Sequence, residues 1–329
     1  MVAKSEMKTA ACAMLCVMAL AASACGSEPT PIPSGGPSPS AAAAIKPAPR
    51  AAAGLAYDPI SRQLVLIGGM PDPTSPAASD DVPGQDMWAW RPSSGWTRLS
   101  PAILPDAGYM TWLVSDSASG RLVAISQSSS NLWSWDGKNW SPVAAVPAHD
   151  VLSGVAFQQD LSVLRVLGRA QVDGAETMWT WDGSTWADPD VLSMSWREQS
   201  VVAYDAARRQ LVVYGGFGDG DTVTWLYDGT TWSRVQAGAA PQAGQSSSAY
   251  DAVRQEVVVH VGNQTWTWDG SAWTLRSTTG PALRREEAMT FDPSIGKVVL
   301  FGGKVPSGSS ETFMDDLWAW DGTAWSRLG

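Results

Sequence analysis

The 329-residue chain is poor in the residues that most often carry chemistry, with three cysteines and two histidines. Cys12, Cys16 and Cys25 all precede Gly26. The rest of the chain therefore has no disulfide, no thiolate nucleophile and no cysteine metal site. His149 and His260 alone cannot build a histidine-rich metal centre. Basic residues are also scarce: 22 Lys and Arg against 32 Asp and Glu, a net charge of -10. That balance excludes a surface built to hold nucleic-acid phosphates. No apolar run approaches the roughly 20 residues of a membrane span. What the chain has in excess is tryptophan, 19 of them.

The N-terminus reads as an address. Lys4 and Lys8 precede an uncharged stretch from Thr9 to Ala22, the form of an export signal. It ends Ala22-Ser23-Ala24-Cys25. As A-x-A this is a signal-peptidase site. It also resembles the bacterial lipobox, in which the cysteine becomes lipidated and N-terminal; the usual leucine three residues earlier is here Ala22. Residues 26–49 are rich in Pro, Ser, Ala and Gly, the composition of an extended tether. The expectation is a signal peptide over 1–24, a lipid-bearing Cys25 with a tether over 25–49, and a folded unit over 50–329. The protein is then exported and lipid-anchored to the outer face of a bacterial membrane, or else secreted.

A repeat fills the folded part. "LWSWDGKNW", "MWTWDGSTW", "TWLYDGTTW", "QTWTWDGSAW" and "LWAWDGTAW" end at Trp140, Trp186, Trp232, Trp273 and Trp325. A diverged sixth copy, "MWAWRPSSGW", ends at Trp96. Every tryptophan except Trp112 and Trp196 belongs to these motifs. Upstream of each lies a β-branched run, preceded in four units by an aromatic-Asp pair with a turn, "LAYDPISRQ", "VAYDAARRQ", "SAYDAVRQE" and "MTFDPSIGK". In three copies that run ends in Gly-Gly: "LVLIGG", "LVVYGG" and "VVLFGG". Each unit reads as four strands, A to D. Strand A ends at the aromatic-Asp, B at the Gly-Gly, C carries Trp-x-Trp, and D begins at the closing tryptophan. Asp-Gly between C and D signals a hairpin. One such sheet cannot cover both of its faces, so neighbouring units must.

These repeats resemble kelch repeats, and the likeness spans residues 50 to 329. It implies an all-β, six-bladed β-propeller with blades at about 50–99, 105–143, 147–187, 194–235, 241–276 and 282–328. The first blade owns its strand A and the last owns its strand D. No strand swap between the termini is expected, so blade one closes directly on blade six.

The B-C loops vary in length while the A-B turns do not, and function tends to sit on variable loops. The face carrying B-C and D-A loops is therefore the expected binding face. Long loops over 69–86 and 303–316 should wall one side of its mouth. The residues seven before the aromatic of each strand A are Arg50, Gly108, Asp150, Arg197, Ala243 and Arg284. Arg50, Arg197 and Arg284, with Arg285, Trp196 and Asp150, are the candidate ligand residues. Arginine suits bidentate carboxylate or phosphate recognition. The competing reading pairs these arginines with local carboxylates, Asp150, Glu198, Glu286 and Glu287 among them, as loop braces. Trp112 and His260 are expected in the core, and Asp80, Asp81, Asp86, Asp315 and Asp316 as loop charge rather than a calcium site.

The expected function is a non-catalytic, envelope-displayed binding or scaffold module. Its partner is an envelope protein or a glycan, with an anionic glycan or acidic peptide in view. A monomer is expected, with no cofactor, no metal, no nucleic acid, and membrane contact only through the lipid on Cys25. Two alternatives stand beside it. One is a sugar-acting enzyme like the six-bladed mutarotases, with Arg197 and Glu198, or Arg284, Arg285, Glu286 and Glu287, imitating their site. The other is a structural spacer. Copper-radical oxidase chemistry of the galactose oxidase type is excluded, because the folded part has no cysteine.

Overall fold

The computed structural model describes residues 46–74, 86–195, 197–218, 223–236, 238–242, 244–308 and 310–328. The expected signal, Cys25 and Trp196 lie outside them. Among the described residues there is no helix. Six four-stranded antiparallel sheets follow one another along the chain. Blade one is Gly54–Asp58, Gln63–Ile67, Met87–Arg91 and Gly95–Leu99, and blade six is Ala288–Asp292, Lys297–Phe301, Leu317–Trp320 and Trp325–Arg327. Both are complete in sequence, so no strand is swapped. The A strands pack on one another around the ring, blade six against blade one included, and line a central channel.

Burial explains the closure. Leu55, Leu64, Leu66, Trp88 and Trp90 of blade one form one apolar cluster with Ala288, Val299, Phe301 and Leu317 of blade six. Trp96 meets Phe301 edge-on at 5.3 Å, a favoured aromatic geometry.

The repeated tryptophans stitch each blade to the one before it. The closing indole of Trp273 donates to Thr224 Oγ1 at 2.8 Å, Trp325 to Thr265 Oγ1 at 2.7 Å, and Trp186 to the Ala145 carbonyl at 2.8 Å. The aromatic-Asp motif works alike. Asp58 accepts the turn N–H of Ile60 at 3.0 Å and, from the next blade, the Trp135 indole at 3.1 Å. Motif residues are thus spent on packing and on bonds that satisfy buried polar groups.

The C-D hairpin forms by a different turn from a two-residue Asp-Gly. Trp135 pairs with Trp140, leaving a four-residue loop. The Asp136 carboxylate closes it by accepting the N–H groups of Lys138 and Asn139 at 2.9 and 2.7 Å, and Gly137 takes φ 92°. In blade three the last strand does not start at Trp186. That residue makes an isolated bridge to Trp181, and the paired segment is Asp190–Val191.

Candidate functional site

The arginines expected on the rim are inside the blades. Arg50, Arg197 and Arg284 are 0%, 1% and 3% exposed. Arg50 grips Asp86 with two bonds of 2.7 and 2.6 Å, and also donates to the carbonyls of Ala48 and Gly68. Arg284 repeats this on Asp316 at 2.6 and 3.0 Å, with the carbonyls of Ala282 and Gly302. The indoles of Trp88 and Trp318 complete the two carboxylates. Arg197 donates to the carbonyl of Gly215 at 3.2 Å. The bracing reading therefore replaces the ligand reading for these three. The partners of Arg50 and Arg284, Asp86 and Asp316, are residues the sequence reading had set aside as loop charge.

The Gly-Gly pairs belong to the same clamp. In all three, both glycines have φ between 66° and 91°. A Cβ on Gly69 would sit 2.7 Å from the Ala51 carbonyl oxygen, and one on Gly303 would sit 2.9 Å from that of Arg285. Only glycine permits this backbone and this approach.

The other two described candidates are solvent-facing and far apart in the ring order, on blades three and six. Asp150 is 3.6 Å from Arg169. Arg285 pairs with Glu311 and lines a cavity of about 820 Å³ between the two long loops, with Met70, Pro71, Pro306 and Phe313. Among the described residues, Met70, Pro71, Asp72, Pro73 and Thr74 of one long loop and Pro306, Glu311 and Phe313 of the other line that cavity.

A different set of residues converges on the axis. Ala52, Met110, Gln199 and Glu286 occupy one equivalent position in blades one, two, four and six, with φ of 58°, 54°, 55° and 57°. A left-handed non-glycine residue costs about 1–2 kcal/mol, and such strain gathers at functional sites. Its local cause is visible. The turn aims backbone groups at the next blade: Ala52 N–H donates to the Glu286 carbonyl at 2.7 Å, and Thr111 N–H to the Ala52 carbonyl at 3.1 Å.

The side chains there are polar. Gln199 Nε2 lies 3.4 Å from the hydroxyl of Tyr109 on blade two. Glu286 Oε1 accepts Gln245 Nε2 at 3.3 Å and pairs with Lys304 Nζ at 3.1 Å. Lys304 also reaches Glu311 Oε2 at 3.3 Å. The Glu286 side chain is only 4% exposed, and its Oε2 has no hydrogen-bond partner. Burial, and next the charge of Glu286, push the Tyr109 hydroxyl above the usual tyrosine range. Beside it, Glu287 Oε1 accepts Ser247 Oγ at 2.9 Å and His260 Nδ1 at 2.7 Å, while Glu287 Oε2 is also unpartnered. Beneath lies a cavity of about 160 Å³ lined by Thr111, Ser200, Ser246, Ser247 and Ser248.

Sequence reasoning reached Glu286 and Glu287 but not Tyr109, Gln199, Gln245 or Lys304. A signal was present. Arginine and Gly-Gly occur together in blades one, four and six and are both missing from two, three and five. That covariation marks a clamp, and it points to the residues beyond the clamp as the free ones.

No protein-family model and no curated protein sequence matches the chain. Solved structures do. A gluconolactonase from Xanthomonas campestris is similar with a TM-score of 0.54 over 78% of this chain and 84% of that one, at 15% identity. The lectin SapL1, solved with α-methyl fucoside, gives 0.52 over 86% and 96%, at 17% identity. Likeness at this level defines the class: the chain is a six-bladed β-propeller. These neighbours support the propeller rather than the kelch family in particular. They also correct the expectation of a non-catalytic protein. An enzyme stands among the neighbours of this architecture, so the fold gives no ground for excluding catalysis.

Proposed function

We propose that the protein is an exported, envelope-anchored propeller that binds a saccharide at its axial mouth. The observation that carries this is Glu286. It is a buried carboxylate on which polar side chains from four blades converge, with Gln245 and Lys304 on Oε1 and the Tyr109 hydroxyl, itself beside Gln199, in hydrogen-bonding range. Amides, hydroxyls and carboxylates offering both donors and acceptors suit a hydroxyl-rich ligand. The buried arginines are spent on clamps, and Lys304 is shared between two carboxylates. The mouth thus favours neutral or amino sugars over the acidic ligand first expected. A lectin and a gluconolactonase among the structural neighbours agree with a sugar-related role.

The test is calorimetric titration of the full chain with the methyl glycosides of fucose, glucose, galactose, glucosamine and glucuronic acid. At least one neutral or amino sugar should bind, and Glu286→Gln should weaken it tenfold or more. Hydrolysis of a sugar lactone is followed in the same samples, and turnover lost in Glu286→Gln makes the mouth an active site. Binding of none, or of all equally in wild type and variant, defeats the reading.

A further inference from the structure

The central channel continues past the polar cavity under the mouth. A second cavity of about 330 Å³ shares Leu113, Val114, Val155, Val202 and Ser248 with the first and lies toward the other end of the A strands. The last residue but one of every strand A lines it: Tyr57, Ser115, Phe157, Tyr204, Tyr250 and Phe291. Five blades thus supply an aromatic ring, and blade two supplies a serine.

The rings sit at the seams between blades. Phe157 packs on the cluster of blades two and three, Tyr204 in that of three and four, and Tyr250 on that of four and five. Phe291 joins five to six, and Tyr57 joins six to one. The seam of blades one and two takes no ring from this position. There Ser115 donates instead to the Tyr57 carbonyl. All the ring residues but Tyr204 are half-buried, so they keep surface toward the cavity they line. Hydroxyls are engaged elsewhere: Tyr204 donates to Asp160 at 2.5 Å, and Tyr250 accepts the N–H of Ala207 at 3.0 Å.

We infer that this end of the channel is a second binding site, for an uncharged aromatic ring that takes the place blade two leaves open. Aromatic side chains favour another ring, edge-on or offset, over an aliphatic group of equal area. A void of roughly 150 Å³ lined by apolar side chains takes up benzene, so about 330 Å³ admits one ring or two fused rings. The A-B turns around the opening mix both signs of charge. Asp205 and Asp251 pair with Arg208 and Arg254 at 2.8 and 2.7 Å. Asp58, Asp116 and Asp292 each have a base four or five residues on. Burial holds the Tyr57 and Tyr250 hydroxyls above the usual tyrosine range, so they add no charge. No single-sign field there selects an ion. Glu286 and its partners at the mouth do not line this cavity, so the inference stands apart from the saccharide reading.

Calorimetric titration of the full chain with indole, phenol and cyclohexanol tests this. Indole and phenol should bind, and cyclohexanol, of nearly the same size as phenol, should bind about threefold to tenfold more weakly than phenol. Ser115→Phe gives blade two the ring its neighbours have and should abolish indole binding. Ala252→Trp, at an exposed lining position, should do the same from another blade. Thermal melts of both variants separate a filled cavity from a folding defect. Indole binding that survives in both variants overturns the inference, as does cyclohexanol bound as tightly as phenol. No binding of indole or phenol at millimolar concentration overturns it too. Each of these results leaves the saccharide reading standing, since that is tested at the mouth by Glu286→Gln.

Discussion

Blades one, four and six differ from blades two, three and five in one device. The first set carries an arginine before strand A and Gly-Gly after strand B; the second carries neither. In the first set the guanidinium is buried, and in blades one and six it is bidentate on an aspartate. In the second set the equivalent place holds Gly108, Asp150 or Ala243, and Asp150 faces solvent beside Arg169. Charge at equivalent sequence positions thus does opposite things. Where the backbone can turn left-handed twice and close over it, an arginine becomes an internal brace. Where it does not, as in blade three, the charge of Asp150 stays at the surface.

The largest test of this contrast removes a clamp. Arg284→Met leaves Asp316 buried without its cation, and should cost about 3–5 kcal/mol. Asp150→Ala, the blade-three equivalent, should cost under about 1 kcal/mol. Urea unfolding of both reads the difference, and equal losses would break the comparison. Pairing Arg284→Met with Asp316→Leu should recover part of the loss, since the uncompensated charge is then gone.

Next comes the carboxyl that has no such clamp. Glu176 of blade three is buried, and burial lifts it to about 7, against opposing bonds from Ser153 and the Arg197 backbone. Burial pushes Asp316 up as well, but hydrogen bonds from Arg284 and Trp318 outweigh it and leave it lowered. The two should act on stability with opposite signs. Between its ordinary value of 4.5 and about 7, Glu176 is protonated when folded and ionised when unfolded. The folded state then holds more protons, so stability falls as pH rises through that window, by about 3 kcal/mol in all. Asp316 contributes stability above its unfolded value, lost as pH falls toward its folded one. Unfolding midpoints from pH 4 to 8 should show the decline, and Glu176→Gln should remove it.

Gly69→Ala is of similar size. It combines a left-handed φ with a Cβ 2.7 Å from a carbonyl oxygen, at about 2–4 kcal/mol. Gln127, at the same place in blade two, has ordinary backbone angles, and Gln127→Ala should cost only the bonds its side chain makes to Leu152 and Asp150. The smallest effect is a gain. Ala52→Gly relieves a left-handed alanine and should stabilise by up to about 1 kcal/mol, the gain in the folded state being partly offset by a freer unfolded chain. Thermal melts would show it.

The blade count, strand order and ring closure were legible because they depend on short-range periodicity. Trp-x-Trp sets one face of a strand, and Asp-Gly and Gly-Gly end strands at fixed offsets. The hairpin was legible while its turn was not. Asp136 and its equivalents close a four-residue loop through the carboxylate, and a side chain's choice of bond partner is not written in the pattern. The candidate site was legible only at its edges. Arg285 and the two long loops were named as parts of the mouth but line a separate cavity, and Glu286 and Glu287 were within reach. Tyr109, Gln199, Gln245 and Lys304 were not, since they come from four blades and meet only across the axis.

The sequence by itself determined that this chain makes six similar sheets with one variable face. Repetition alone forces that result, because each unit has two apolar faces to cover. Tertiary structure decided which charges are inside. An arginine and an aspartate more than 30 residues apart bury each other only when the strand ends meet. The same closure buries Glu286 among polar groups of several blades, with Gln245 and Lys304 on one oxygen. Long-range juxtaposition sets the desolvation of each charged group, and desolvation separates a brace from a binding group.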